Sequence, residues 1–243
     1  MGESVMRRTL LYIVIILLQG LISYGQTPQK DFPVLKGPYL GQKPPGMTPE
    51  IFAPGIVSIP DVTEWSGHFS PDGTEYYFYR FSQTLQPAIF MSKVIDGKWT
   101  KPEPAAFAGG YPSFQSHIPF DNKTIYFAWK HPLPQGESGN PNLPGTWAAN
   151  RIANGWSTPE YAGQGMFLSS SRDGQLYITD LSAYLLDGKA YLAKLTLNNG
   201  RFSGFERLTG GMDALRAQGL ENQAHPCIAP DGSWGEAKDL RRL

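Results

Sequence analysis

The sequence predicts an all-β fold made of four-stranded antiparallel sheets repeated along the chain, and three observations carry that reading. An Asp-Gly or Asp-Asn turn followed by an aromatic strand occurs three times, as Asp72-Gly73-Thr-Glu-Tyr-Tyr-Phe, Asp121-Asn122-Lys-Thr-Ile-Tyr-Phe and Asp173-Gly174-Gln-Leu-Tyr-Ile. Each copy closes with a second turn that runs into an aromatic: Asp96-Gly97-Lys98-Trp99, Asn154-Gly155-Trp156 and Asn199-Gly200-Arg201-Phe202. The first-turn residues Asp72, Asp121, Asp173 and Asp231 lie 49, 52 and 58 positions apart, near the roughly 40–50 residues that a four-stranded blade with short loops requires. Units of this kind cannot bury both faces alone, so the expected architecture is a β-propeller of stacked antiparallel blades. The 27 Gly, 21 Pro and 13% aromatic content suit short strands joined by tight turns.

Taken in order, residues 1–25 read as an export signal. Arg7 and Arg8 form a positive start, Leu10 to Leu18 is an apolar run too short to span a bilayer, and Ser23-Tyr24-Gly25 supplies the small residues of a cleavage site after Gly25. Cleavage leaves no stable membrane span, and the expected location is periplasmic or secreted. Residues 26–47, rich in Pro and Gly, read as an extended lead-in or linker. Residues 48–243 carry the repeats. Residues 48–58 repeat the outer-strand phrase of Thr100-Lys-Pro-Glu103 and Thr158-Pro-Glu160, so a lone outer strand that closes the ring is expected, with Ile51 to Ser58 as its body.

Three blades follow, at 64–108, 111–162 and 165–209. In each, the strand before the first Asp turn is the innermost. Asp-Gly and Asn-Gly between alternating strands mark the hairpins, because both turn residues tolerate positive φ. Pro132 to Pro144 is an insertion, either floppy or part of a binding rim. Residues 222–243 are a broken fourth blade. There Asp231-Gly232-Ser233-Trp234 reads like a second turn, so the two middle strands are missing and the propeller is incomplete: three full blades plus fragments. Two bare blade faces would result, and self-association through them is expected.

Phe69-Ser70-Pro71-Asp72-Gly73 and Ile228-Ala229-Pro230-Asp231-Gly232 resemble the WD40-like β-propeller repeat of exported bacterial proteins of the TolB type. The likeness covers roughly Thr48 to Leu240, and the second and third copies depart from it with Pro-Phe-Asp-Asn and Ser-Arg-Asp-Gly. The resemblance implies six or more blades, a periplasmic or secreted location, and a binding or scaffolding role. Its motif marks a turn and carries no chemistry.

Charge balances, with 21 Lys plus Arg against 21 Asp plus Glu, so there is no basic field for nucleic acid. Cys227 stands alone, which removes an intrachain disulfide and suggests a small apolar filler. His68 and His117 both lie four positions before their Asp turn, and His225 lies six before Asp231. Period-two alternation would put all three on one face of the inner strands. Three imidazoles near the axis suit a divalent metal, and the oligogalacturonate lyases, a related propeller class, place a His-rich metal site at the channel mouth. Packing between blades is the competing reading, since Ser169 and Cys227 interrupt the ring; no metal or cofactor is assigned. Trp65 and Trp129 break the repeat and suit stacking on sugar rings or peptide aromatics.

The recurring aspartates are turn formers, no carboxylate pair stands out, and Gly-x-Ser-x-Gly is absent. The expectation is therefore a non-enzymatic binding or scaffolding module for protein or glycan partners, with His68, His117, His225, Trp65 and Trp129 as candidate ligand-binding residues. The alternatives are a carbohydrate-active lyase or hydrolase with a His-lined channel, and a truncated remnant of a larger propeller.

Overall fold

A computed structural model describes residues 32–182, 184, 188–219, 223–232 and 235–239. The expected signal segment lies outside these residues, as do Glu221, Ser233 and Trp234. The chain divides into Met1–Val34 and Leu35–Leu243; the second unit is described here. Strand dominates, at 44% against 8% helix.

The first sheet runs β1 (Thr63–Phe69), β2 (Glu75–Phe81), β3 (Ala88–Ile95), then β4 (Lys98–Trp99) and β5 (Glu103–Pro104), both paired to β3. The second repeats it with β6 (Ser113–His117), β7 (Thr124–Trp129), β8 (Gly145–Ile152), and β9 (Gly155–Trp156) and β10 (Glu160–Gln164), both paired to β8. In the third, β11 (Met166–Ser170), β12 (Leu176–Asp180) and β13 (Tyr191–Asn198) lead to one outer strand, β14 (Arg201–Arg207). All these pairings are antiparallel. Proline explains the split outer strands. Pro102 and Pro159 remove a ladder donor and divide the first two, whereas Ser203-Gly204-Phe205 carries the third through unbroken.

The first turn is built the same way four times. Gly73, Asn122, Gly174 and Gly232 each donate an amide to the carbonyl three residues back, over 2.8–3.1 Å, and each has positive φ. The aspartates act as turn formers: the amides of Thr74, Lys123 and Gln175 donate to Asp72, Asp121 and Asp173. The second turns differ in kind. Asp96-Gly97 and Asn199-Gly200 put both residues at positive φ, as a two-residue hairpin demands. In the second sheet the loop falls one residue earlier than expected, since Ile152 pairs with Gly155 and leaves Ala153-Asn154 as the turn.

This distinction alters the reading of the fourth copy. Gly232 is at positive φ and its amide bonds the Ala229 carbonyl three residues back, the bond that marks the other first turns. Accordingly β15 (Gln223–Ile228) pairs antiparallel with β16 (Gly235–Asp239), which takes the place of a second strand rather than a fourth. A short helix, α1 (Gly211–Ala217), precedes this hairpin.

Each sheet packs on the next. Tyr77 and Ile89 of the first sheet share a core with Ile125, Phe127 and Trp147 of the second. Tyr126 of the second packs with Leu176, Ile178 and Ala193 of the third. Buried hydroxyls tie the sheets at the same joints. Ser113 Oγ accepts the Ile89 amide (3.1 Å), Thr146 Oγ1 donates to the Gly165 carbonyl (2.7 Å), and Thr179 Oγ1 accepts the His225 amide (3.2 Å). Between the first two sheets, Arg151 makes two bonds to Glu75 (3.0 and 2.9 Å) with its guanidinium 3.9 Å from the Trp156 ring centre. Asn122, which matches a glycosylation acceptor in sequence, instead donates to Asp72 and accepts from Arg151.

The lead-in is not a linker. Its Leu40, together with Ala53 and Val57 of the following segment 48–58, is buried against Tyr76, Phe78, Phe90 and Trp99, on the first sheet's other face. Trp99 Nε1 donates to the Gly37 carbonyl (2.7 Å), its amide donates to the Leu35 carbonyl (3.0 Å), and Arg80 donates to the carbonyls of Ile56 and Val57 (2.9 and 2.6 Å). Thus the expectation that this blade face is bare is corrected: residues 35–58 cap it, as terminal units cap other repeat arrays. Residues 48–58 form no regular strand. They turn, with an isolated parallel bridge between Pro54 and Ser58; Pro49, Pro54 and Gly55 disfavour a continuous ladder there.

Candidate functional site

The first strand of every sheet carries the same irregularity. Between Trp65 and His68, Phe114 and His117, Met166 and Ser169, and Ala224 and Cys227, two residues oppose one on the partner strand. The first extra residue in each bulge has positive φ: Ser66 (53°), Gln115 (55°), Phe167 (60°) and His225 (56°). None is glycine and none is β-branched, the side-chain class least tolerant of that region. Bulges re-aim side chains, and four in register turn the inner strands towards a common space.

That space is a cleft of about 530 Å³ to which all four first strands contribute. His68, Gln115, His117, Ser169 and His225 supply polar walls, and Phe69, Ile118, Phe167 and Leu168 apolar ones. Among the described residues lining it there is no Asp, Glu, Lys or Arg. His68 stacks on Tyr77 with ring centres 5.6 Å apart, and His117 Nε2 lies 2.9 Å from Ser170 Oγ. Burial lowers the pKa of His68 to about 4, against the opposing pull of a hydrogen bond to the Ser66 backbone. Burial, and then the charge of neighbouring His68, lowers that of His117 to about 3. Both imidazoles are therefore neutral at pH 7.

The expected histidines thus meet at one cleft, but not as three equivalents. His68, His117, Ser169 and Cys227 follow the bulge; His225 sits in it, beside Ser66, Gln115 and Phe167 in register. The extra residue breaks the period-two phase, and His225 stacks on Phe167 at 3.6 Å between ring centres. Among the described residues, no three His, Cys, Asp or Glu side chains come together as a metal-ligating group. Cys227, expected as a small apolar filler, is exposed.

The tryptophans separate. Trp129 is 8% exposed and packs edge-on to Trp147 (5.1 Å) and against His131 (4.6 Å), so its ring belongs to the core between sheets and offers no open face. Trp65, 44% exposed, lies against Tyr79. Sequence reasoning missed Gln115, which has no histidine-like signal and is marked only by the bulge. Asp180, which has no visible partner in sequence, receives Arg207 Nε at 3.0 Å. The insertion is pinned to the second sheet: the Asn140 amide donates to Gln164 Oε1 (2.7 Å), and Gln164 Nε2 donates back to the Asn140 carbonyl (3.0 Å).

A second cavity, about 580 Å³, lies beneath the lead-in and is walled by Tyr39, Phe52, Phe69 and Tyr76. Gly67 borders both cavities, and a Cβ there would stand 2.0 Å from Tyr76 Oη, so a larger residue requires Tyr76 to shift.

No protein-family model matches the chain, and no curated protein matches it in sequence. Among solved structures it is similar to TolB from Acinetobacter baumannii, at 15% identity and a TM-score of 0.46, over 72% of this chain and 37% of that one. The chain therefore spans just over a third of that structure's length. No helix among the described residues is long and apolar enough to cross a membrane.

Proposed function

We propose that the chain is an exported β-propeller-type module that binds a ligand or partner without transforming it, and that the cleft between the four first strands is where it does so. One observation carries this: the cleft is walled by groups that are polar but uncharged. General acid–base work near neutral pH favours a group whose pKa lies near that pH, and imidazoles lowered to about 4 and about 3 are poorly matched to it. Glycoside hydrolysis most often uses two carboxylates, and the described lining has neither. Repeated antiparallel sheets, stacked face to face with their first strands at one cleft, support the propeller architecture. Arg7-Arg8 followed by the apolar run Leu10 to Leu18 supports export to the periplasm or beyond.

The test pairs turnover with binding. Polysaccharides incubated with the purified chain should release no new reducing ends and no unsaturated products. Ser169→Trp, which fills the cleft, should abolish ligand-induced thermal stabilisation seen in the parent. Turnover that disappears in His117→Ala would overturn the reading.

A further inference from the structure

Among the described residues, His68 Nε2 and Gln115 Oε1 belong to side chains lining the cleft and have no hydrogen-bond partner. His68 Nε2 is buried without a partner, and the Ser66 backbone beside the ring favours the tautomer that leaves Nε2 as a lone pair. Gln115 Oε1, from the neighbouring sheet, is likewise buried without a partner. Buried acceptors left unsatisfied are costly, and a native fold that keeps two in one cavity has a use for them. Each calls for a donor. A cationic donor would enter a space with no described carboxylate, where burial already disfavours positive charge on imidazole. An uncharged donor meets neither obstacle. The remaining walls, Phe69, Ile118, Phe167 and Leu168, suit the C–H face of such a molecule. The cleft volume lies within the roughly 300–1,000 Å³ of small-ligand pockets.

We infer that the cleft binds an uncharged carbohydrate, whose hydroxyl groups donate to His68 Nε2 and Gln115 Oε1 while its C–H faces rest on the apolar walls. This rests on the cleft being the binding site, and it assigns that site a ligand class and two reading residues.

The experiment is a titration of the full chain, followed by imidazole ¹⁵N resonances and calorimetry. The probes are cellobiose, maltose, xylobiose and N,N′-diacetylchitobiose, with digalacturonate as the charged sugar, acetamide as an uncharged non-sugar donor and ethylammonium as a cation. At least one neutral disaccharide should move the His68 Nε2 resonance in the direction of an accepted hydrogen bond and should bind more tightly than digalacturonate or ethylammonium. His68→Phe and Gln115→Met remove one acceptor each at similar volume. Both should fold with a thermal midpoint no lower than the parent, because an unmet polar atom is lost, and each should weaken binding roughly tenfold. Binding unchanged in both variants overturns the inference. If acetamide alone shifts His68, the carbohydrate assignment falls while the cleft stands as a binding site. If no probe perturbs any cleft imidazole, both fall.

Discussion

The docking of the lead-in on the first sheet makes Trp99 a sharp test of that contact. Trp99 is 4% exposed, its ring lies 6.1 Å from Phe69 within the capped core, and its indole N–H reaches the Gly37 carbonyl at 2.7 Å. Trp99→Ala removes the ring and leaves a cavity that the strands cannot fully collapse around, at a cost of about 3–5 kcal/mol. Trp99→Phe keeps most of the packing and loses the indole bond. Gly37 is exposed and water replaces the donor, so the cost should stay at about 1 kcal/mol. In equilibrium urea unfolding, with a dependence of about 2 kcal/mol per M, the alanine variant should move the midpoint by roughly 2 M and the phenylalanine variant by roughly 0.5 M. Trp156→Ala is the control: its indole donates to Tyr77 Oη (2.8 Å) between the first two sheets and involves no lead-in residue. If Trp156→Ala is costly while Trp99→Ala costs less than roughly 0.5 kcal/mol, as a surface change would, the lead-in does not dock and the capping argument fails.

Three further outcomes follow from particular contacts. The folded state lowers the pKa values of His68 and His117 from 6.5 to about 4 and about 3, so the unfolded chain takes up protons first. Stability is then full above pH 6.5 and falls as pH drops towards 4 and then 3. A His68→Phe, His117→Phe double variant should flatten that fall in a pH series of thermal midpoints, and an unchanged slope would contradict it. Arg151→Met leaves Glu75, which is 8% exposed, without its cation and with only the Tyr77 hydroxyl donating to it (3.0 Å), and should cost about 3 kcal/mol in chemical denaturation. Adding Glu75→Gln should recover at least half of it, and strictly additive losses would show that the pair is not coupled. Gly67→Ala drives a methyl towards Tyr76 Oη and should cost about 1–3 kcal/mol, part of it regained with Tyr76→Phe, whose Cζ still stands 2.9 Å from the new Cβ; no regain would place the strain elsewhere.

Much of the fold was legible in sequence because its turns have their own chemistry. Asp-Gly and Asn-Gly announce hairpins, and the aromatics Trp99, Trp156 and Phe202 mark one position because they pack at one level of each sheet. The split outer strands were written in Pro102 and Pro159. The lead-in misled for a physical reason: Pro and Gly signal the absence of a ladder, and absence of a ladder is not absence of packing. Leu35, Leu40, Phe52 and Val57 have neither helical nor strand period, yet they cover a sheet, and only the facing surface of Tyr76, Phe78 and Phe90 reveals it. The fourth copy misled similarly, since Asp-Gly opens either turn. The backbone separates them, through the amide bonded to the carbonyl three residues back, which Gly232 shares with Gly73, Asn122 and Gly174.

The site depended on a feature the sequence does not announce. Period-two counting assigned His225 the same face as His68 and His117, and that arithmetic holds only for an unbroken strand. Each first strand instead spends one extra residue in a bulge, at a position occupied by Ser66, Gln115, Phe167 and His225. A glycine there would have betrayed the positive φ; these residues do not, and so the phase error passes unnoticed. The same bulge explains why the inner wall is polar without being charged. Bulged backbone brings Gln115 and the imidazoles into a space too dry to hold a proton on His68, and a space that keeps imidazole neutral also discourages ionised ligands. Introducing one carboxylate by Gln115→Glu tests that link directly. It should raise the His68 pKa from about 4 by supplying a nearby negative charge, visible in an imidazole NMR titration. If His68 titrates as before, the two side chains do not share the cleft, and the assignment of both as reading residues of one ligand is wrong.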